Sequence, residues 1–127
     1  MIKGVGIDIS KVERFNALKD KNAFIHEVLT PGEITAVGSG PDTTGSLALL
    51  FSIKEAFIKA LRCGLHLGHF WRQINIDPRL EVDASGRIRD LINEKSISKL
   101  HISAARTKKN AVGIVVMESE DQFQEVL

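Results

Sequence analysis

Cysteine is almost absent from this sequence. A single residue, Cys63, in 127 excludes an intrachain disulfide, and with it the disulfide-stapled secreted scaffolds. Long hydrophobic runs are missing too. The longest clean stretch, Ala111 to Met117, is interrupted by Gly113 and falls far short of the ~20 residues a membrane span requires. Lys3 and Asp8 stand where an export signal would carry its apolar core, so no signal peptide is read. Nor is there an excess of one charge. Seventeen basic residues against 16 acidic ones give +1, whereas a dedicated nucleic-acid binder carries a strong basic surplus. These absences point to a soluble cytoplasmic chain with no nucleic-acid or membrane partner. Its length suits one domain, residues 1–127, with a core that needs no metal or disulfide.

The charge is unevenly distributed. Glu118, Glu120, Asp121 and Glu125 crowd the last ten residues, where no basic residue stands. The rest of the chain sets 17 basic residues against 12 acidic ones, +5. A modestly basic body steers acidic partners or polyanionic small molecules toward itself.

There is no internal repeat, low-complexity tract or long linker. Ile2 to Ile9 reads as a strand, with Gly4 and Gly6 allowing close backbone approach. Ser10 with Glu13 reads as a capping box opening a helix. A second helix is expected at about Asn22 to Leu29. Thr30-Pro31-Gly32-Glu33 is a helix start, and that helix ends before the loop Gly38-Ser39-Gly40-Pro41. The next helix runs from about Thr44 to Cys63 and stops at Gly64. Leu47, Leu49, Leu50, Phe51, Ile53, Phe57, Ile58 and Leu61 cover more than half of its circumference. Such a helix is buried on most sides, either centrally in the domain or against another subunit. Lys54 falls within the apolar arc, where its ammonium needs a partner or a route to the surface. The second half reads mostly as strands: Gln73 to Asp77, Leu80 to Val82, a hairpin return at Arg87 to Arg89 after Ala84-Ser85-Gly86, Leu100 to Ala104, and Ala111 to Met117 antiparallel to its predecessor. Arg89 to Lys95 reads as a short helix. The expected class is α+β, a largely antiparallel sheet packed against a long central helix.

Known chemical motifs are mostly excluded. Gly4-x-Gly6 lacks the third glycine of a dinucleotide fingerprint, since Ile9 stands there. No P-loop, Gly-x-Ser-x-Gly elbow or Cys-x-x-Cys is present. His66 and His69 lack cysteine or acidic neighbours for a zinc site. Charged residues beside apolar segments remain. Asp8 ends an apolar strand, where a carboxylate needs a cation or hydrogen-bond donors. Glu55 and Lys59 share a helix face. A hard divalent cation takes a few carboxylates plus phosphate oxygens, and Asp8 and Glu55 supply two. His101 and Ser103 face one side of a strand and offer donors to a phosphate.

Together these segments resemble the phosphopantetheinyl transferase family, in its small holo-acyl-carrier-protein synthase type. Gly4-Val-Gly-Ile-Asp8-Ile9 with Val12-Glu13-Arg14-Phe15 is similar to the family's first motif. Phe24 through Leu29-Thr30-Pro31-Gly32-Glu33 is similar to its second. Phe51-Ser52-Ile53-Lys54-Glu55-Ala56-Phe57-Ile58-Lys59-Ala60 matches its most specific signature, F-x-x-K-E-A-x-x-K-A. Trp71 to Ile74 and His101-Ile102-Ser103 follow in the expected order.

The resemblance implies the family's fold over nearly the whole chain. It also implies transfer of the 4′-phosphopantetheine arm of coenzyme A to a serine of an apo acyl-carrier protein, releasing adenosine 3′,5′-bisphosphate. By the same resemblance Asp8 and Glu55 hold magnesium on the pyrophosphate. Lys59 handles the serine proton or steadies the leaving phosphate. Lys54, Gly64, His101, Ser103 and Arg106 contact coenzyme A, and Arg14 docks the acidic carrier. Small members are homotrimers with sites between subunits. The chain departs from the pattern at Leu50, where arginine is usual, and at Ala105-Arg106, where a hydroxyl residue and a histidine are usual. The loop after Gly64 also differs. Arg106 binds phosphate well but cannot act as a base. Two other readings stand beside the transferase: a relative that binds a carrier or coenzyme A without transfer, and a plain oligomeric scaffold.

Overall fold

Alternation along the first strand decides how the layers meet. A computed structural model of the chain describes residues 1–38, 42–64 and 70–120. Strand β1 (Ile2–Lys11) turns Gly4, Gly6, Asp8 and Ser10 inward and leaves Val5, Ile7 and Ile9 exposed. It continues into α1 (Val12–Asn16), α2 (Lys21–Val28), α3 (Pro31–Val37) and the long α4 (Thr43–Leu61). A short 3-10 turn at Trp71–Gln73 leads into the hairpin β2 (Ile74–Ile76) and β3 (Val82–Ala84). Helix α5 (Gly86–Glu94) and strands β4 (Ile97–Arg106) and β5 (Asn110–Ser119) follow. The main sheet has the order β1-β5-β4 and is antiparallel throughout.

Helix α4 lies against β1 and β5 with almost no side chain between them. A Cβ at Gly4 would stand 1.8 Å from the Ala60 carbonyl oxygen, and one at Gly6 would stand 1.9 Å from that of Ala56. Only glycine permits that approach. Thirteen of the 19 residues of α4 are buried within the single chain. Its broad apolar arc therefore faces the domain's own core rather than another subunit. One side packs Ile53, Phe57 and Leu61 against Ile88, Val115 and Met117. The other packs Leu47 and Phe51 against Phe15, Val28 and Leu29. The rings of Phe15, Phe24, Phe51 and Trp71 form a cluster with centroids 5.4–6.5 Å apart.

The capping box of α3 forms as expected and does more than cap. The Thr30 backbone N–H donates to Glu33 Oε1 at 2.9 Å, and the Glu33 N–H donates to Thr30 Oγ1 at 3.2 Å. Glu33 is itself buried, and its Oε2 accepts the Ile76 N–H at 2.7 Å. Lys54 supplies the counter-charge. Its Nζ lies 2.5 Å from Glu33 Oε1 and also donates to the carbonyls of Val28 (2.8 Å) and Trp71 (3.0 Å). Burial pushes the Lys54 ammonium below its ordinary range against the pull of Glu33. One buried lysine thus ties together α2, α3, α4 and the turn before β2.

Three local expectations change. Ser10 does not cap α1; it stays in β1, and the helix begins after Lys11 with no side-chain cap. The second strand of the small hairpin starts at Val82, because Asp77 Oδ1 accepts the N–H groups of Arg79 (2.8 Å) and Glu81 (3.0 Å) and makes the preceding residues a turn. Arg87 to Arg89 is helix, not a hairpin return. Ile88, Leu91 and Ile92 are buried at helical spacing, and Gln73 Oε1 accepts the Ile88 N–H at 3.0 Å, one of the donors a helix start leaves free. Residues 39–41, the loop 65–69 with His66 and His69, and the acidic residues Asp121 and Glu125 lie outside the described residues.

Removing one partner of a buried ion pair strands the other, at a cost of about 3–5 kcal/mol. Lys54→Met is expected to lower unfolding free energy by that amount in urea titrations, and a loss under about 1 kcal/mol would contradict the role assigned to Lys54.

Candidate active site

The close seam between β1 and α4 sets Asp8 beside the charged strip of the helix. Asp8 follows Gly6 in the inward row of the strand. Its Oδ1 accepts from Lys59 Nζ at 2.9 Å, and the same ammonium donates to the Ile7 carbonyl at 3.1 Å. The Lys59 side chain is half exposed, whereas that of Asp8 is only 16% exposed. The carboxylate is thus sheltered, with a half-exposed cation beside it. Its other oxygen, Oδ2, accepts from Ser10 Oγ at 3.3 Å.

Glu55 stands half-buried on the same side of α4, four residues before Lys59. Its Oε2 accepts the Trp71 indole N–H at 3.2 Å. Burial raises the Glu55 carboxyl above the ordinary carboxylate range, and the Asp8 charge raises it further. The Trp71 hydrogen bond and the charges of Lys59 and Arg14 pull the other way. The two carboxylates therefore sense one another, across 47 positions of chain. Two sheltered oxygen donors that repel each other are the chemistry of a hard divalent cation's partial shell. Among the described residues no group of three or more His, Cys, Asp or Glu could hold a metal. A cation here would complete its shell with ligands from outside the chain, which suits an ion that usually keeps waters and phosphate oxygens.

The other expected site residues fall in five places. Arg14 lies at the rim, its guanidinium 5.4 Å from the Phe15 ring centre and 5.5 Å from that of Phe51. Gly64 follows the end of α4 with a left-handed φ of 68°. His101 and Ser103 do share a side of β4, as their spacing predicts, but they pair with Val116 and Ile114 on the outward face of the sheet. Asp8 faces inward, so one chain does not bring these residues to it. The His101 ring contacts Glu118, with Nε2 and Oε1 2.5 Å apart. Arg106 pairs with Asp42, ahead of the N-terminus of α4, above Gly45. That is roughly 20 Å along the helix from Glu55, at 1.5 Å per residue. With Val12, Asn16, Thr44 and Lys108 they line a polar cavity of about 540 Å³. The expectation for Lys54 is corrected: fully buried with three partners, it presents no surface to a coenzyme A phosphate. Trp71 orients Glu55, and no spacing rule in the sequence ties an indole to a carboxylate 16 residues away.

Comparison with known proteins identifies the family and the fold. The sequence profile of the 4′-phosphopantetheinyl transferase superfamily matches residues 4–115. The chain belongs to that superfamily. Holo-[acyl-carrier-protein] synthase from Geotalea daltonii is 32% identical over 124 residues, covering 93% of this chain and 99% of that protein. The synthase of Limosilactobacillus reuteri is 34% identical over 123 residues, covering 94% and 100%. The solved holo-[acyl-carrier-protein] synthase from Neisseria meningitidis superposes with a TM-score of 0.81 at 30% identity, over 94% of this chain and 100% of that one. A synthase from Bacillus anthracis, solved in complex with CoA (3′,5′-ADP), gives 0.74 at 28% identity over 94% and 99%. The superfamily's fold is thus the α+β architecture described above.

Because the folded Glu55 carboxyl is raised, its neutral form is favoured in the fold. That contribution is full below the unfolded value of about 4.3 and is lost as pH rises through the folded value. Glu55→Gln, which stays neutral, is expected to melt at a higher temperature than the metal-free parent at neutral pH. Trp71→Phe removes the donor that favours the charged form, so the Glu55 carboxyl midpoint, followed by NMR on labelled glutamate, moves upward. A downward move would contradict the contact.

Proposed function

We propose that this chain is a holo-[acyl-carrier-protein] synthase that uses magnesium. It moves the 4′-phosphopantetheine arm of coenzyme A to a serine hydroxyl of an apo acyl-carrier protein and releases adenosine 3′,5′-bisphosphate. The observation that carries this is the sheltered Asp8 carboxylate bound by Lys59 at the seam, with Glu55 within electrostatic reach of it. Asp8 and Glu55 are the residues that would hold magnesium. When bound, that ion supplies Lewis-acid charge on the pyrophosphate oxygens and a template for the substrate. Lys59 lends its half-exposed ammonium to the same oxygens, where phosphoryl transfer needs positive charge. As an ammonium it only donates, so it steadies the leaving phosphate.

A homotrimer with shared sites is part of the reading. Val5, Ile7 and Ile9 are each more than half exposed, and they continue across β5 through Ile114. An uncovered apolar sheet face of this kind is ordinarily an interface. A second copy on that face would bring His101, Ser103, Gly64 or Arg106 of one chain toward Asp8 and Glu55 of another, to hold the nucleotide. Arg14, at the rim beside Phe51, would meet the acidic surface of the carrier. The reading places the enzyme in the cytoplasm; no helix among the described residues is long and apolar enough to cross a membrane.

Incubation with coenzyme A, magnesium and apo carrier proteins is expected to add one phosphopantetheine arm to a carrier by mass spectrometry. Asp8→Asn and Glu55→Gln are expected to slow transfer by about 100-fold or more, the scale of losing one electrostatic stabiliser. Coenzyme A binding without mass gain on any carrier would favour the binding-only relative instead. Ile7→Asp is expected to yield monomers in analytical ultracentrifugation and to abolish transfer together with the assembly. Full activity in a monomer would contradict shared sites.

A further inference from the structure

The inward row of β1 runs against one row of α4. Gly4 lies on Ala60 and Gly6 on Ala56, and one helical turn further Ser10 meets Ser52, whose hydroxyl donates to Ser10 Oγ at 2.8 Å. Both serines are buried, Ser52 completely. A serine inside a helix commonly turns its hydroxyl back to its own helix. Ser52 reaches across to the strand instead. Alanine occupies the next two turns of the same row and is the better helix former. The hydroxyl at position 52 is therefore not explained by packing or by helix propensity, and its polarity is costly unless bonded.

We propose that Ser10 and Ser52 are positioning residues: a relay of two hydroxyls that aims the Asp8 carboxylate at the bound cation, an assignment that rests on the metal reading above. A hydroxyl has one proton. Ser10 accepts from Ser52, which leaves its own proton for Asp8 Oδ2 at 3.3 Å. Lys59 holds Oδ1 at 2.9 Å. With both oxygens held, the carboxylate plane is fixed, and each oxygen keeps a lone pair for a cation. Ser52 acts only through Ser10, and this makes the relay separable from ordinary core packing.

Manganese binding to the coenzyme A complex, measured by calorimetry without carrier protein, tests the relay. Outer partners of metal ligands typically contribute 10–100-fold in affinity, so Ser10→Ala is expected to weaken manganese binding about 10-fold and Ser52→Ala by about 3-fold. The double variant should bind no more weakly than Ser10→Ala, because the second hydroxyl has lost its only route to Asp8. Ser10→Thr, which keeps the hydroxyl, should restore affinity to within about 2-fold. Circular dichroism identifies folded variants, and Ser52→Ala carries the test should Ser10→Ala not fold. Asp8→Asn separates two failures. If it abolishes binding while the folded serine variants bind like the parent, or if the serine losses simply add, the relay is overturned alone. If the parent and Asp8→Asn bind alike, or the parent binds no manganese, the metal reading falls and the relay with it.

Discussion

Everything in this molecule depends on how closely β1 lies on α4. A helix advances about 6 Å in four residues and a strand about 6.6 Å in two. The two rows therefore stay in step over the glycine contacts, Gly4 with Ala60 and Gly6 with Ala56, and beyond them the hydroxyls of Ser10 and Ser52 bridge strand to helix. Asp8 falls between two of these contacts and has no freedom to move away from the helix. Gly113 of β5 continues the seam, since a Cβ there would stand 2.8 Å from the Ile53 Cα. Any side chain in the seam would lift the strand and carry Asp8 away from Glu55. The absence of side chains at these glycines thus fixes the relation of two carboxylates 47 positions apart in the sequence.

Neighbours on α4 divide the work because successive residues point about 100° apart. Lys54 points into the core and closes the helical half of the domain through Glu33, Val28 and Trp71. Glu55 points to the site and is oriented by the Trp71 indole. Trp71 serves both, its carbonyl accepting from Lys54 and its N–H donating to Glu55. The buried ion pair and the candidate metal ligand are therefore coupled through one residue. The rotation of α4 that buries Lys54 is the rotation that presents Glu55.

Much of this was legible in the residues, for reasons that are local. The long helix, the capping box of α3 and the last antiparallel pair follow from spacing and turn composition. A lysine inside an apolar arc signalled a buried partner. Its identity was hidden, because Glu33 already had a complete local explanation as a capping residue. Ser10 misled in the same way: Ser-x-x-Glu satisfied a helix-start pattern, while the folded chain uses the hydroxyl on Asp8. Spacing placed His101 and Ser103 on one side of a strand but could not say which side faced the core. The family resemblance brought the site residues together, yet it assigned Lys54 to a phosphate that its burial keeps out of reach.

Crystals grown with coenzyme A and manganese test the central claim most directly, because anomalous scattering distinguishes the ion from water and from lighter atoms. The account predicts one ion between the Asp8 and Glu55 carboxylates of the same chain, bonded to both and to the pyrophosphate. An ion bound elsewhere, or bound by neither carboxylate while the nucleotide occupies its site, would contradict it.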